Sequence, residues 1–165
     1  MNSSVSVQAE SPRAVVESLA REFALIDSRT RNLLQQIPGE MLYRPAALPG
    51  LTTSVGELIL RSAGAVEQTC GGLNANLWDD PFEWTLPETL STPALVNEYL
   101  DEVTQTRNQF FARLKDDGEL KKLIALPGDV TQPLINLLRE TLLRATGNLE
   151  RAAVILALKN EDDSE

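Results

Sequence analysis

From Thr131 to Lys159 the chain reads TQPLINLLRETLLRATGNLERAAVILALK, with apolar residues at Leu134, Leu138, Leu142, Ala145, Leu149, Ala152 and Leu156. Steps of three and four residues keep one face of an α-helix apolar along the whole segment. Most of the stability of such a helix comes from packing that face rather than from intrinsic propensity, so the stripe requires partner helices.

Three further segments carry the same period. Ser11-Pro12 is expected to open the first helix, with Val16, Leu19, Phe23, Ile26, Leu33 and Ile37 inward and Pro38-Gly39 as its stop. Ser54 opens the second, and Glu57 three residues later completes a capping box. Its inner face is Val55, Leu58, Ile59, Ser62, Val66, Cys70 and Leu73, with Gly71-Gly72 as the expected end. Thr92-Pro93 opens the third, which carries Leu95, Val96, Tyr99, Leu100, Val103, Phe110 and Leu114 and is expected to stop at Asp116-Asp117-Gly118. Residues 119–129 read as a turn or hairpin-like crossing, after which Asp129 or Thr131 caps the fourth helix with Pro133 in its first turn.

The connections also have character. Residues 38–53 hold three prolines and two glycines, so they form a structured link that folds Leu42 and Tyr43 back on the helices. Residues 74–91 contain both tryptophans, an aromatic load that reads as a lid sealing one end of the core. The fold class is therefore all-α, an antiparallel four-helix bundle, as one domain over 11–159 with disordered tails at 1–10 and 160–165.

Composition narrows the function. A formal net charge of −9 with a pI near 4.6 argues against nucleic acid and against anionic membrane surfaces. No stretch approaches the roughly 20 apolar residues that span a bilayer, and the N-terminus lacks the basic start and apolar core of a secretory signal. One cysteine, Cys70, fits a reducing, cytoplasmic setting and reads as a small core residue. The chain contains no histidine, so neither a Ser-His nor a Cys-His pair exists, and no phosphate-cradling glycine loop is present. Acidic residues such as Glu98, Asp101 and Glu102 read as a solvated face, and no catalytic residue or cofactor is assigned.

The stretch Tyr43-Arg44-Pro45-Ala46 through Ser54-Val55-Gly56-Glu57-Leu58-Ile59-Leu60 resembles the start of the DinB-like family. The resemblance implies a four-helix bundle with up-down-down-up connectivity, a homodimer, and, in many members, a divalent metal held by three histidines. One of those lies on the second helix and two lie four residues apart on the fourth; some such members are thiol-dependent transferases. In this sequence the matching positions are Arg61, Arg144 and Asn148. Zinc and nickel sites lean on imidazole or thiolate, so the family metal is not expected here.

Two readings of these three residues follow. In one, Arg61, Arg144 and Asn148 line a cavity that binds an anionic or carbonyl-bearing small molecule, because guanidinium matches carboxylate and phosphate with paired hydrogen bonds. In the other, the arginines extend to the bundle margin and pair with Glu57, Glu67 or Glu140, while Asn148 is a polar plug in the core. The expected function is a metal-free, non-catalytic binding or interaction module; the alternative is a metal-independent, transferase-like enzyme with an anion pocket. A pocket lined by all three residues would favour the transferase-like alternative, whereas arginines that face solvent and pair with surface carboxylates would favour the interaction module.

Overall fold

The computed structural model describes residues 11–47, 49–81 and 85–162, with side chains described as far as Asn160. The expected tail at 1–10 lies outside these residues, as do 163–165 and Trp84 of the expected lid, whereas 160–162, expected to be disordered, are helical.

The fold is all-α apart from one small hairpin. Helices α1 (Ala14–Gln35), α2 (Val55–Ala75), α3 (Pro93–Arg113) and α4 (Leu134–Asp162) share one hydrophobic core, and each contacts at least two of the others. The most extensive interface is between α2 and α4. The α4 stripe packs as its period predicts: Leu138, Ala145, Leu149 and Ala152 are fully buried, and Leu134 and Leu156 nearly so. Helix α2 is the most enclosed element, with Leu58, Ile59, Leu60, Ser62, Ala63, Gly64, Ala65 and Val66 all buried because α1, α3 and α4 all touch it.

Two local caps form as the sequence predicts. Ser54 Oγ accepts from the Glu57 amide while the Glu57 carboxylate accepts from the Ser54 amide, at 3.2 and 2.8 Å, closing the capping box at the start of α2. Thr92 Oγ1 accepts from the Leu95 amide at 3.3 Å, with Pro93 in the first turn of α3.

Four boundaries differ from expectation. Helix α1 begins at Ala14, and its cap is remote: Asp117 accepts from the amides of Val15 and Val16 at 3.1 and 2.9 Å, in place of a Ser11 side-chain cap. Gly71-Gly72 does not end α2, which continues to Ala75 and turns at Asn76 in the left-handed conformation. Helix α3 ends at Arg113, and a 3-10 turn over Asp117–Lys121 follows.

Neither Asp129 nor Thr131 caps α4. Strands β1 (Leu123–Leu126) and β2 (Val130–Pro133) pair antiparallel from Leu123↔Pro133 to Leu126↔Val130, so Thr131 and Pro133 belong to a hairpin. Gly128 and Asp129 take positive φ in the three-residue turn between the strands. A chain committed to that turn enters α4 only at Leu134, and α4 then runs three residues past Lys159.

The connections fold back as predicted. Leu42 is fully buried, and the Tyr43 hydroxyl donates to the Leu90 carbonyl at 2.6 Å. At the other end Trp78 packs on α2 at Gly72, where an added Cβ would stand 2.2 Å from Trp78 Cε3. The glycine inside the helix is thus the seat of an indole ring. No helix among the described residues is long and apolar enough to cross a membrane.

Candidate functional site

The α2–α4 seam is held by polar contacts inside an otherwise apolar interface. Ser62 Oγ donates to the Ala145 carbonyl at 2.9 Å, a short approach made by two small residues. Further along, Thr69 Oγ1 and Thr141 Oγ1 lie 2.7 Å apart, both buried. Thr141 spends its one proton on the Leu137 carbonyl at 2.9 Å, which makes Thr69 the donor between the two hydroxyls.

A cleft of about 920 Å³ opens along the outer side of this seam. Helix α2 contributes Leu58, Arg61, Gly64, Ala65 and Gln68, and α4 contributes Leu143, Arg144, Gly147, Asn148 and Arg151; Thr53 and Asp80 complete the lining. The structure therefore brings Arg61, Arg144 and Asn148 together on one surface. Arg61 lies well off the apolar centre of α2, yet it still borders α4, because α2 packs against neighbours on several sides.

Arg151 joins them. Its Nη2 donates to Asn148 Oδ1 at 2.6 Å, so the Asn148 amide keeps its NH₂ donors for the cleft. Arg151 follows Arg144 by seven residues and Asn148 by three, so helical periodicity alone places all three on one face. Gln68 Nε2 donates to the Trp78 carbonyl at 3.1 Å, which anchors the 78–80 segment over the cleft wall.

Each of the three carboxylates weighed as partners for the arginines has a neutral hydrogen-bond donor among the described residues. Glu57 accepts from Ser54, Glu67 accepts from the Tyr99 hydroxyl, and Glu140 accepts from Gln132. Among the described residues no carboxylate lies within ion-pair distance of Arg144. Asn148 is half-buried at the cleft wall and is not a plug in the core.

These side chains do not suit a metal. At the three positions where the resemblance would put imidazoles, two guanidiniums and an amide stand, and fixed positive charges repel a divalent cation. Among the described residues no cluster of three His, Cys, Asp or Glu side chains is placed to hold one. What the arrangement suits is an anion: three guanidiniums from two helices, each with planar donors, outnumber the one lining carboxylate, Asp80, beside apolar Leu58, Ala65 and Leu143.

Two other polar residues are structural. Cys70 is fully buried, and burial pushes its thiol up to about 12, partly opposed by the nearby Arg107. Arg107 is itself buried in the α1–α3 interface, donating to the Phe23 carbonyl at 3.3 Å, and desolvation lowers its pKa while Asp27 opposes the shift. It follows Val103 by four residues and precedes Phe110 by three, a position inside the α3 apolar stripe that marks it as inward-facing.

Comparison with protein-family models, with curated proteins and with solved structures gives no match to this chain.

Proposed function

We propose that this chain is a metal-free, non-catalytic binding module of the DinB-like type that holds an anionic small molecule in the α2–α4 cleft. The observation that carries this reading is the convergence of Arg61, Arg144, Arg151 and Asn148 on one cleft of about 920 Å³, in a protein whose net charge is −9. Clustered guanidiniums on an acidic chain need a reason, and paired recognition of a carboxylate or phosphate supplies one. The volume falls within the range of about 300–1,000 Å³ typical of small-molecule sites.

In this reading the four helices form an antiparallel bundle with up-down-down-up connectivity, and the cleft occupies the place where the resemblance would put a metal. The same resemblance supports a homodimer. Val154 and Leu158, both exposed on α4 and outside the cleft lining, are the apolar side chains such an interface would cover. The transferase-like alternative requires a nucleophile or proton-transfer group facing the ligand. The sole thiol is buried in the core, which leaves the Asp80 carboxylate on the cleft as the group such an enzyme would use.

Thermal unfolding in the presence of phosphate, citrate and monocarboxylates tests the proposal. A ligand that binds only the native state adds about 2.7 kcal/mol at a hundredfold excess over its Kd. At least one anion is expected to raise the melting temperature of the wild type and not that of Arg144→Ala. Stabilisation by a divalent metal in place of an anion would overturn it.

A further inference from the structure

A second cavity, of about 300 Å³, lies between α2, α3 and the segment that follows α2. Gln68 borders both this cavity and the arginine cleft, but the charge here is reversed. Glu67 and Asp79 place two carboxylates on its wall, and among the described residues no lysine or arginine lines it.

The carboxylate of Glu67 is fixed in direction. The Tyr99 hydroxyl donates to Oε2, and among the described residues no donor is bonded to Oε1. Burial raises the Glu67 pKa, the Tyr99 hydrogen bond opposes that shift, and the neighbouring charge of Glu102 adds to it. Gln68 uses its NH₂ on Trp78 and so keeps its carbonyl oxygen as a further acceptor. Leu77, 61% exposed, and Pro81 form an apolar side to the same cavity. Two carboxylates and hydrocarbon in one small cavity match an ammonium group on an aliphatic stem, because ammonium brings three donors and no acceptor.

We infer that this cavity is a binding site for a primary alkylammonium group, the end of an aliphatic amine or diamine, held by Glu67 and Asp79 with its methylenes against Leu77 and Pro81. A bare divalent cation fits less well. Calcium takes six to eight oxygen ligands, whereas this wall offers two carboxylates beside apolar surface. The acidic chain also raises the local concentration of small cations through its overall field.

The full chain titrated with n-butylammonium and 1,4-diaminobutane, followed by amide NMR shifts, tests the site. Saturable shifts are expected around Glu67, Asp79 and Gln109. n-Butanol, which has the same stem without the charge, is expected to produce none. Glu67→Gln and Asp79→Asn are each expected to weaken binding at least about tenfold. Asp79 is exposed in a loop, so its variant keeps the test valid if Glu67→Gln does not fold. Arg144→Ala is expected to bind the amine as the wild type does, which separates failure of this site from failure of the arginine cleft. Absence of saturation, equal shifts with n-butanol, unweakened binding by both carboxylate variants, or preference for calcium over the amines would overturn the inference.

Discussion

The hydroxyl of Thr69 donates to that of Thr141 across the α2–α4 seam, 2.7 Å away and fully shielded from water. The direction of that bond makes the two residues unequal. Thr141→Val leaves the Thr69 hydroxyl as a buried donor without this acceptor, which costs about 1–3 kcal/mol. Thr69→Val removes only one acceptance from an oxygen that still donates to Leu137, so about 1 kcal/mol is expected. Chemical denaturation of both variants and of the double variant checks this, and the double variant is expected to be less destabilised than the sum of the two.

Asp117 ties the start of α1 to the segment after α3 by accepting from two of the first free amides of the helix. Asp117→Ala is expected to lose about 1–2 kcal/mol, the scale of a lost N-cap. Ser11→Ala is expected to lose less, because the Ser11 hydroxyl accepts only from the Arg13 amide, ahead of the helix, and donates to Glu17, both in exposed contacts. Melting temperatures of the two variants measured side by side decide which residue caps the helix.

Gly72→Ala is expected to displace Trp78, since the new methyl would overlap the indole ring. Overpacking of this kind costs about 1–3 kcal/mol. In a Trp84→Phe background, the remaining indole emission is expected to shift to longer wavelength as the ring gains water.

Alkaline pH is expected to weaken the fold in a defined window. The Cys70 thiol moves from 9.0 to about 12 on folding, and the Tyr43 phenol from 10.0 to about 12, both chiefly by burial. Both shifts are upward, so their contribution is fully present below pH 9.0 and is lost as pH rises towards 12, where the unfolded chain releases protons that the native chain holds. Cys70→Ala is expected to show a shallower fall in stability across that window than the wild type. A soluble aromatic disulfide at pH 8 is expected to react with Cys70 only after unfolding.

The parts of the fold legible in the sequence are those set by neighbours along the chain. The stripe from Leu134 to Leu156 and the caps at Ser54 and Thr92 depend on residues three or four apart, and all formed as read. The parts missed depend on distant partners or on turn chemistry competing with a helix signal. Nothing near Ser11 indicates that a carboxylate about a hundred residues away displaces it, and nothing near Gly72 shows that an indole needs its place. The start of α4 is hidden in the sequence because Thr131 and Pro133 resemble a cap and first turn, whereas Pro127-Gly128-Asp129 closes a hairpin that holds them in a strand. Of the cleft, Arg61, Arg144 and Asn148 are reached only through the family resemblance, and Arg151 follows from sharing the α4 face of the last two. Asp80 and Gln68 enter through the path of the loop after α2, which periodicity does not specify.

The most direct measurement is a calorimetric titration of inorganic phosphate and citrate into the wild type and into Arg144→Glu, a charge reversal at an exposed position that leaves the core intact. Saturable binding of one of these anions by the wild type, weakened at least about a hundredfold in the variant, or about 2.7 kcal/mol, is the predicted result. Equal binding by both proteins, or binding by neither alongside stoichiometric uptake of a divalent metal, would contradict the arginine cleft as the functional centre of this chain.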